Sequence, residues 1–304
     1  MNYYERETYQ IMNQANIEFY LKQHYETIQP ITLGWSHDLK YRVKHAQDTK
    51  CYFLRINPIE KLISEKYRFD QMSKLSDNGL PIQKPISFET IDDFIIQTFE
   101  WIEGECLEDV LSSLDVETQR SLGLEAGQIL KQIHELPSQY PMDWLSHIQR
   151  KFERKQVAYN QCGIKLNHES DYLKVLEKPL DIMGREVCFQ HGDYHVGNMV
   201  YAHGKLVIID FNRSEDGDPW QDFDRIAFSV RISPEFAKGQ IQGYFDHNVP
   251  QAFFTTLRYY FSLNSFGSIA WAIPYGEQEV QVMQDIASQI HSWYQESDIP
   301  KWYK

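Results

Sequence analysis

The sequence predicts an α+β protein of two lobes: a small antiparallel β-sheet lobe over residues 1–100 and a mainly helical lobe over residues 101–304. Three observations predict it. Strand-like segments are concentrated in the first third, with one short recurrence near 186–211. Apolar residues at helical spacing dominate the remainder. The chain, at 304 residues, is long enough for two lobes with substantial cores.

Residues 4–26 read as a helix with Ile11, Ile17, Tyr20 and Leu21 on one face. "ITLGWSHDLKYRV" and "CYFLRI" read as short strands around the polar turn "QDTK". "PIEKLISEKYRFDQMSKLSDNGLP" reads as a helix, with Pro58 near its start, Leu62, Phe69, Met72 and Leu75 along one side, and Asn78-Gly79 at its end. Two strands follow near 86–89 and 93–99, giving the order helix, three strands, helix, two strands. The polar connection "WIEGECLED", from Trp101, marks the lobe boundary. Beyond it, Leu122, Ala126, Ile129 and Ile133 recur at spacings of 4, 3 and 4 on a helix that stops at Pro137. Segments 143–160 and 171–178 continue helical. "EVCFQ", "NMVY" and "LVIIDF" are short β segments joined by tight connections, and helices resume from about Trp220.

Apolar content of 42% and charged content of 24% are those of a globular chain, so disorder is not the expectation. A formal net charge of −13 argues against nucleic acid, whose phosphates are held by clustered Lys and Arg. It is compatible with a cationic small partner, although solubility alone explains it equally well. Cys51, Cys106, Cys162 and Cys188 form no C-x-x-C pair, so they read as reduced thiols of a cytoplasmic protein. The N-terminus does not resemble a signal peptide, and no apolar run reaches the roughly 18 residues needed to span a bilayer.

The chemistry concentrates in "FQHGDYHVGNMVY", residues 189–201. His191 and His195 are four apart, which on a helix would suit a metal. Gly192 and Gly197, with β-like flanks, make a helix improbable. No G-x-S-x-G elbow is present, and Ser36 in "LGWSHD" lacks the second glycine. A polar turn would explain one Asp or one Asn, but not the whole constellation. Phosphoryl transfer needs a carboxylate for the attacking hydroxyl, and a divalent cation held by an amide oxygen and a second carboxylate. Asp193 and Asn198 are five apart, and a hairpin over 199–209 ends in "IIDFN", which places Asp210 as the second carboxylate.

"HGDYHVGN" together with "IIDFNRSEDGDPWQDF" resembles the aminoglycoside phosphotransferase (choline kinase-like) family of small-molecule kinases. The likeness extends through "LGWSHDLKYRV", "CYFLRI", "GLPIQKPI" and "FEWIEGE", loosely in the first lobe and specifically in the second. It implies the bilobal protein-kinase-like fold, Mg²⁺, and ATP or GTP as phosphoryl donor. It places the catalytic aspartate at Asp193, a loop-orienting histidine at His191, metal ligands at Asn198 and Asp210, and a brace of the catalytic loop at Asp222. The nucleotide base falls at the hinge, on backbone groups of Glu100, Trp101 and Ile102.

The chain departs from that pattern in the first lobe. The third-strand lysine is replaced by Arg55, whose planar fork is no lysine point charge. Glu65 is the expected acid partner of Arg55. No G-x-G-x-x-G is present; Gly34 and Ser36 stand where backbone N–H groups would meet phosphate.

His195 stands where protein kinases carry a lysine, and only Phe211 to Gly217 separate Asp210 from "DPW", too little for a peptide-docking segment. The expected acceptor is therefore a small hydroxyl compound. Glu215, Asp216 and Asp218 would either attract an amine-bearing acceptor such as an aminoglycoside or form a solvated turn. The alternatives are a metabolic kinase for choline, ethanolamine, an amino-acid alcohol or a sugar, and a nucleotide-binding protein without activity. No nucleic acid or membrane partner is expected, and the chain is expected to be a monomer or weak dimer.

Overall fold

Ile17 and Leu21, one helical turn apart, bury their side chains together with Tyr25 against Val43, Leu54, Ile56 and Ile96. That cluster is the core of the first unit of the chain. The computed structural model describes residues 15–32, 34, 38–140 and 142–304. Ser36 and the start of the expected first helix, with Ile11, lie outside the described residues. Two compact units emerge. One runs up to Gly104 and includes Val207–Asn212; the other is Glu105–Leu206 with Arg213–Lys304.

In the first unit, helix α1 covers 15–24. Strands β1 (Thr27–Pro30), β2 (Leu39–Lys44), β3 (Tyr52–Pro58), β4 (Pro85–Ile91) and β5 (Phe94–Glu100) form one antiparallel sheet in the order β1-β2-β3-β5-β4. Side chains alternate across a strand. Leu54 and Ile56 therefore face the α1 cluster, while Phe53, Arg55 and Asn57 face the other way. On that second face, helix α2 (Leu62–Asp77) brings Phe69 against Phe88 and Phe99, with ring centroids 5.3 and 5.7 Å apart. Val207–Asn212 joins this unit through the segment after α2: the Ile208 N–H donates to Pro81 O at 2.9 Å, and the Gln83 N–H to Ile208 O at 2.8 Å. Asp210 is thereby carried by the unit that carries Arg55.

The second unit is mainly helical: α3 (Leu107–Val110), α4 (Val116–Ile133), α5 (Trp144–Cys162), α6 (Glu169–Leu176), α7 (Ile226–Ile232), α8 (Pro234–Tyr244), α9 (Gln251–Ala272) and α10 (Glu277–Trp293). Asp115 and Asp143 cap α4 and α5 by accepting from the N–H groups of Thr118 and Ser146. Helices α4 and α8 cross at backbone distance: a Cβ on Gly123 or Gly127 would come within 2.1 Å of the carbonyl oxygen of Phe236 or Gln240. Helix α9 is apolar almost all round and buries Phe253, Leu257, Phe261, Phe266 and Ile269, as expected of a helix inside a bundle. Two short strands, β6 (Glu105–Cys106) and β8 (Met199–Ala202), pair antiparallel, as do β7 (Cys188–Phe189) and β10 (Asp216–Gly217). Strand β9 (Lys205–Ile208) carries the chain out of the unit.

All four cysteines are free thiols. Among the described residues no helix is long and apolar enough to cross a membrane.

Candidate active site

The segment after β7 is irregular because its backbone bonds are satisfied by side chains rather than by a ladder. Asp222, 3% exposed, accepts from the N–H of His191 at 2.7 Å and of Gly192 at 2.6 Å. The same carboxylate lies 3.0 Å from His134 Nε2, and His134 Nδ1 lies 2.9 Å from the Tyr244 hydroxyl. Gly192 has φ +82°, and a Cβ there would stand 2.1 Å from Arg213 O, so only glycine fits. The Tyr194 hydroxyl donates to Ala126 O at 2.7 Å and ties the loop to α4. His191 is fully buried and its Nδ1 accepts from the Asp193 N–H at 3.2 Å.

Asp193 projects from this braced loop among cations. Arg225 Nε is 3.2 Å from Oδ1, Arg213 Nε 3.7 Å from Oδ2, and His195 Nε2 3.9 Å from Oδ1. Burial works to raise the Asp193 pKa, but Arg225, followed by His195 and Arg213, outweighs it and holds the group below the usual carboxylate range. It is therefore ionised at neutral pH. His195 is pushed down to about 4, chiefly by burial, so its ring is neutral. Its Nδ1 accepts from the Gly197 N–H at 3.1 Å, which leaves the proton on the nitrogen facing Asp193. Asn198 Nδ2 donates to Asp193 O at 2.8 Å. The amide oxygen of Asn198 remains without a partner among the described residues, as an oxygen ligand for a hard cation requires.

The first unit holds a second charged cluster. Arg55, 6% exposed, donates from Nη2 to Asp210 Oδ1 at 2.6 Å. Arg55 Nε is buried without a partner. Asp210 is left-handed, with φ +63°, a conformation that Asp and Asn tolerate better than other side chains. Across the sheet, Lys40 is the register partner of Arg55. Burial lowers the Lys40 pKa, with Asp210 opposing and Arg55 adding to the effect. The Lys40 amine also lies over Gly34, where a Cβ would stand 3.1 Å from Nζ. In the hinge, the Glu100 N–H donates to Lys84 O at 2.8 Å, and its carbonyl accepts from Gln83 Nε2 at 3.2 Å. Among the described residues no backbone hydrogen bond engages Trp101 or Ile102.

Three comparisons bear on this geometry. The profile of the Phosphotransferase enzyme family matches residues 27–253. The chain belongs to that family. It is a phosphotransferase, and its fold is the bilobal kinase-like one. Amicoumacin kinase hAmiN, solved with AMP-PNP, Ca²⁺ and Ami, is similar with a TM-score of 0.67 at 17% identity, over 93% of this chain and 95% of that one. The gentamicin complex of APH(2")-IIa follows at 0.66 and 15%, over 90% and 96%. A choline/ethanolamine kinase family protein from Mesorhizobium loti reaches 0.61 at 12%, over 88% of each chain. At these identities the likeness is one of fold. No curated protein sequence matches.

Two expectations for the phosphotransferase are corrected. The acid meeting Arg55 is Asp210, not Glu65. Gln97 faces Arg55 across the sheet, and its Nε2 donates to both Asn57 Oδ1 and Glu65 Oε2 at 3.0 Å. The other Glu65 oxygen accepts from Arg68 at 2.7 Å. The acids expected to attract an amine, or to form a solvated turn, each have a partner: Asp216 and Asp218 are buried, while Glu215 keeps a side chain 44% exposed. Glu215 pairs with Lys151 at 2.6 Å, and Asp216 accepts from Ser138 at 2.7 Å. Asp218 takes two bonds of 2.7 Å from Arg185 and one of 2.6 Å from Tyr260.

Sequence reasoning missed Arg225, Arg213, His134 and Lys40. Lys40 pairs with Arg55 only through the register of β2 on β3. Arg225, inside "QDFDRIA", carried no signal.

Proposed function

We propose that this phosphotransferase moves the terminal phosphoryl group of ATP or GTP to the hydroxyl of a small molecule, with Mg²⁺. The observation that carries the reading is Asp193: an ionised carboxylate, held by Arg225, on a loop that Asp222 fixes by two backbone bonds. Ionised, Asp193 can accept a hydrogen bond from the acceptor hydroxyl. Its part is to orient the acceptor hydroxyl and take the proton as transfer completes, which suits a loose phosphoryl-transfer transition state.

Asn198 and Asp210 are the proposed metal ligands. A bound Mg²⁺ would supply neutralisation of phosphate charge. The unpartnered Arg55 Nε and the Lys40 amine fit phosphate oxygens on the same nucleotide. Trp101 and Ile102 have backbone groups open for the base. An amicoumacin kinase, a gentamicin complex and an ethanolamine kinase are among the structures similar to this chain, and these compounds are the first acceptors to try. Because Asp216 and Asp218 are buried and Glu215 is paired with Lys151, those acids do not argue for a cationic acceptor.

The test is a coupled nucleotide-diphosphate release screen with ATP and GTP across those classes and sugars. On the acceptor found, single-turnover transfer is compared in wild type and Asp193→Asn. Transfer should fall by roughly 10²- to 10⁴-fold, the usual worth of a positioned general base, with Mg²⁺-nucleotide affinity preserved. An unchanged rate would remove Asp193 from the reaction.

A further inference from the structure

Three side chains of the second unit that take no part in the proposed transfer converge near the end of the chain: His168, Asp171 and His291. Their candidate ligand atoms all lie within 4.8 Å of one another. His168 occupies the N-cap position of α6 with φ +60°, in the left-handed region that side chains rarely adopt. An N-cap side chain ordinarily accepts a bond from the helix, but His168 makes no such bond. Instead its ring lies flat on that of His291, with centroids 3.8 Å apart and planes 3° from parallel. His291, in the last turn of α10, places Nε2 3.1 Å from Asp171 Oδ2.

The frame behind these groups is tied together. The Tyr172 hydroxyl donates to the Ala287 carbonyl. Asn167 Nδ2 donates to Ser288 Oγ at 3.4 Å, and Gln284 Nε2 to Lys165 O at 3.3 Å. The start of α6 is thus held against α10, which fixes the backbone that carries the three residues.

We propose that His168, Asp171 and His291 form a site for a divalent transition-metal ion, Zn²⁺ by its ligand chemistry, that clasps α6 to α10. Two imidazoles and one carboxylate form a ligand set that zinc takes, with water as the fourth ligand. Tetrahedral bonds of about 2.0–2.1 Å imply ligand–ligand edges of about 3.3 Å, close to the 3.1 Å between His291 and Asp171. Imidazole donors favour such ions over Mg²⁺. Lys174 Nζ sits 2.8 Å from Oδ1, the other Asp171 oxygen, and leaves Oδ2 to the cluster. Gln295 Nε2 approaches the His291 ring at 3.1 Å. The exposed His168 ring must turn out of the stack to aim a nitrogen at the ion, and no hydrogen bond to a described residue holds it.

The test uses the full chain, untagged and stripped with EDTA, without nucleotide. Co²⁺ is titrated for the visible bands of tetrahedral cobalt, and Zn²⁺ by calorimetry and thermal shift. His168→Asn removes the imidazole while keeping a residue that tolerates the left-handed backbone. His291→Gln and the nucleotide-site variant Asp210→Asn complete the set. Wild type and Asp210→Asn should bind one ion alike and melt higher with it. His168→Asn and His291→Gln should bind at least tenfold more weakly and lose the Zn²⁺-dependent rise. The proposal is overturned if wild type shows neither cobalt bands nor a rise. It is equally overturned if the histidine variants bind as wild type does, or if Asp210→Asn alone abolishes binding.

Discussion

The Arg55 guanidinium meets the Asp210 carboxylate at 2.6 Å across 155 positions of sequence, with the Arg55 Nε left unpartnered beside it. A buried cation with one donor unused is a place for another anion. Arg55→Ala should raise the nucleotide KM by at least tenfold with little effect on the acceptor KM, and Arg55→Lys should recover part of the loss. Lys40→Met should act in the same direction, because its amine shares the cluster. Equal nucleotide KM values in steady-state assays of all four proteins would make both cations structural.

Asp210→Asn separates chemistry from folding. Asparagine tolerates φ +63° nearly as well as aspartate and still offers Arg55 an oxygen, but the buried guanidinium loses its counter-charge, so the protein should fold with a lowered melting temperature. Mg²⁺-nucleotide binding, followed by calorimetry, should weaken, and turnover should be abolished. Wild-type turnover in the variant would remove Asp210 from the metal site.

Asp222→Ala leaves the N–H groups of His191 and Gly192 without their acceptor and strips His134 Nε2 of its partner. Each buried unmet donor costs about 1–3 kcal/mol, so denaturant unfolding should show a loss of roughly 3 kcal/mol or more. In protein that remains folded, kcat should fall at least tenfold while the nucleotide KM stays level. A shift in KM alone would contradict a role in holding the catalytic loop.

His195 gives a pH signature. Its folded pKa, about 4, lies below its ordinary value of 6.5. Between these values the unfolded chain binds more protons, so stability is full above about 6.5 and declines as pH falls toward 4. At pH 5 the loss from this group is about 2 kcal/mol. His195→Gln should flatten the fall in melting temperature between pH 7 and pH 5. An equally steep fall in the variant would mean that His195 is protonated in the folded protein.

The fold class and family were legible because their signals are local. Periodicity distinguishes the strands of the first lobe from the helices of the second, and "HGDYHVGN" with "IIDFN" keeps the order and spacing that phosphoryl transfer asks for. The partners of those residues were less legible. Glu65 is the acid expected for Arg55, but Gln97 stands opposite Arg55 and bonds the Glu65 carboxylate. Glu215, Asp216 and Asp218 read as an acidic turn, and two of the three are buried.

The sequence by itself determined the phosphotransferase chemistry and the order of strands and helices along the chain, because both rest on residues close together in the sequence, from Asp193 to Asp210 for the chemistry. Only the tertiary structure decided that Arg225 keeps Asp193 ionised, that Asp222 holds the loop backbone, and that Arg55 meets Asp210. The physical reason is register. A contact across a sheet or between helices depends on which face each side chain occupies, and a slip of one residue in a strand sends it to the opposite face.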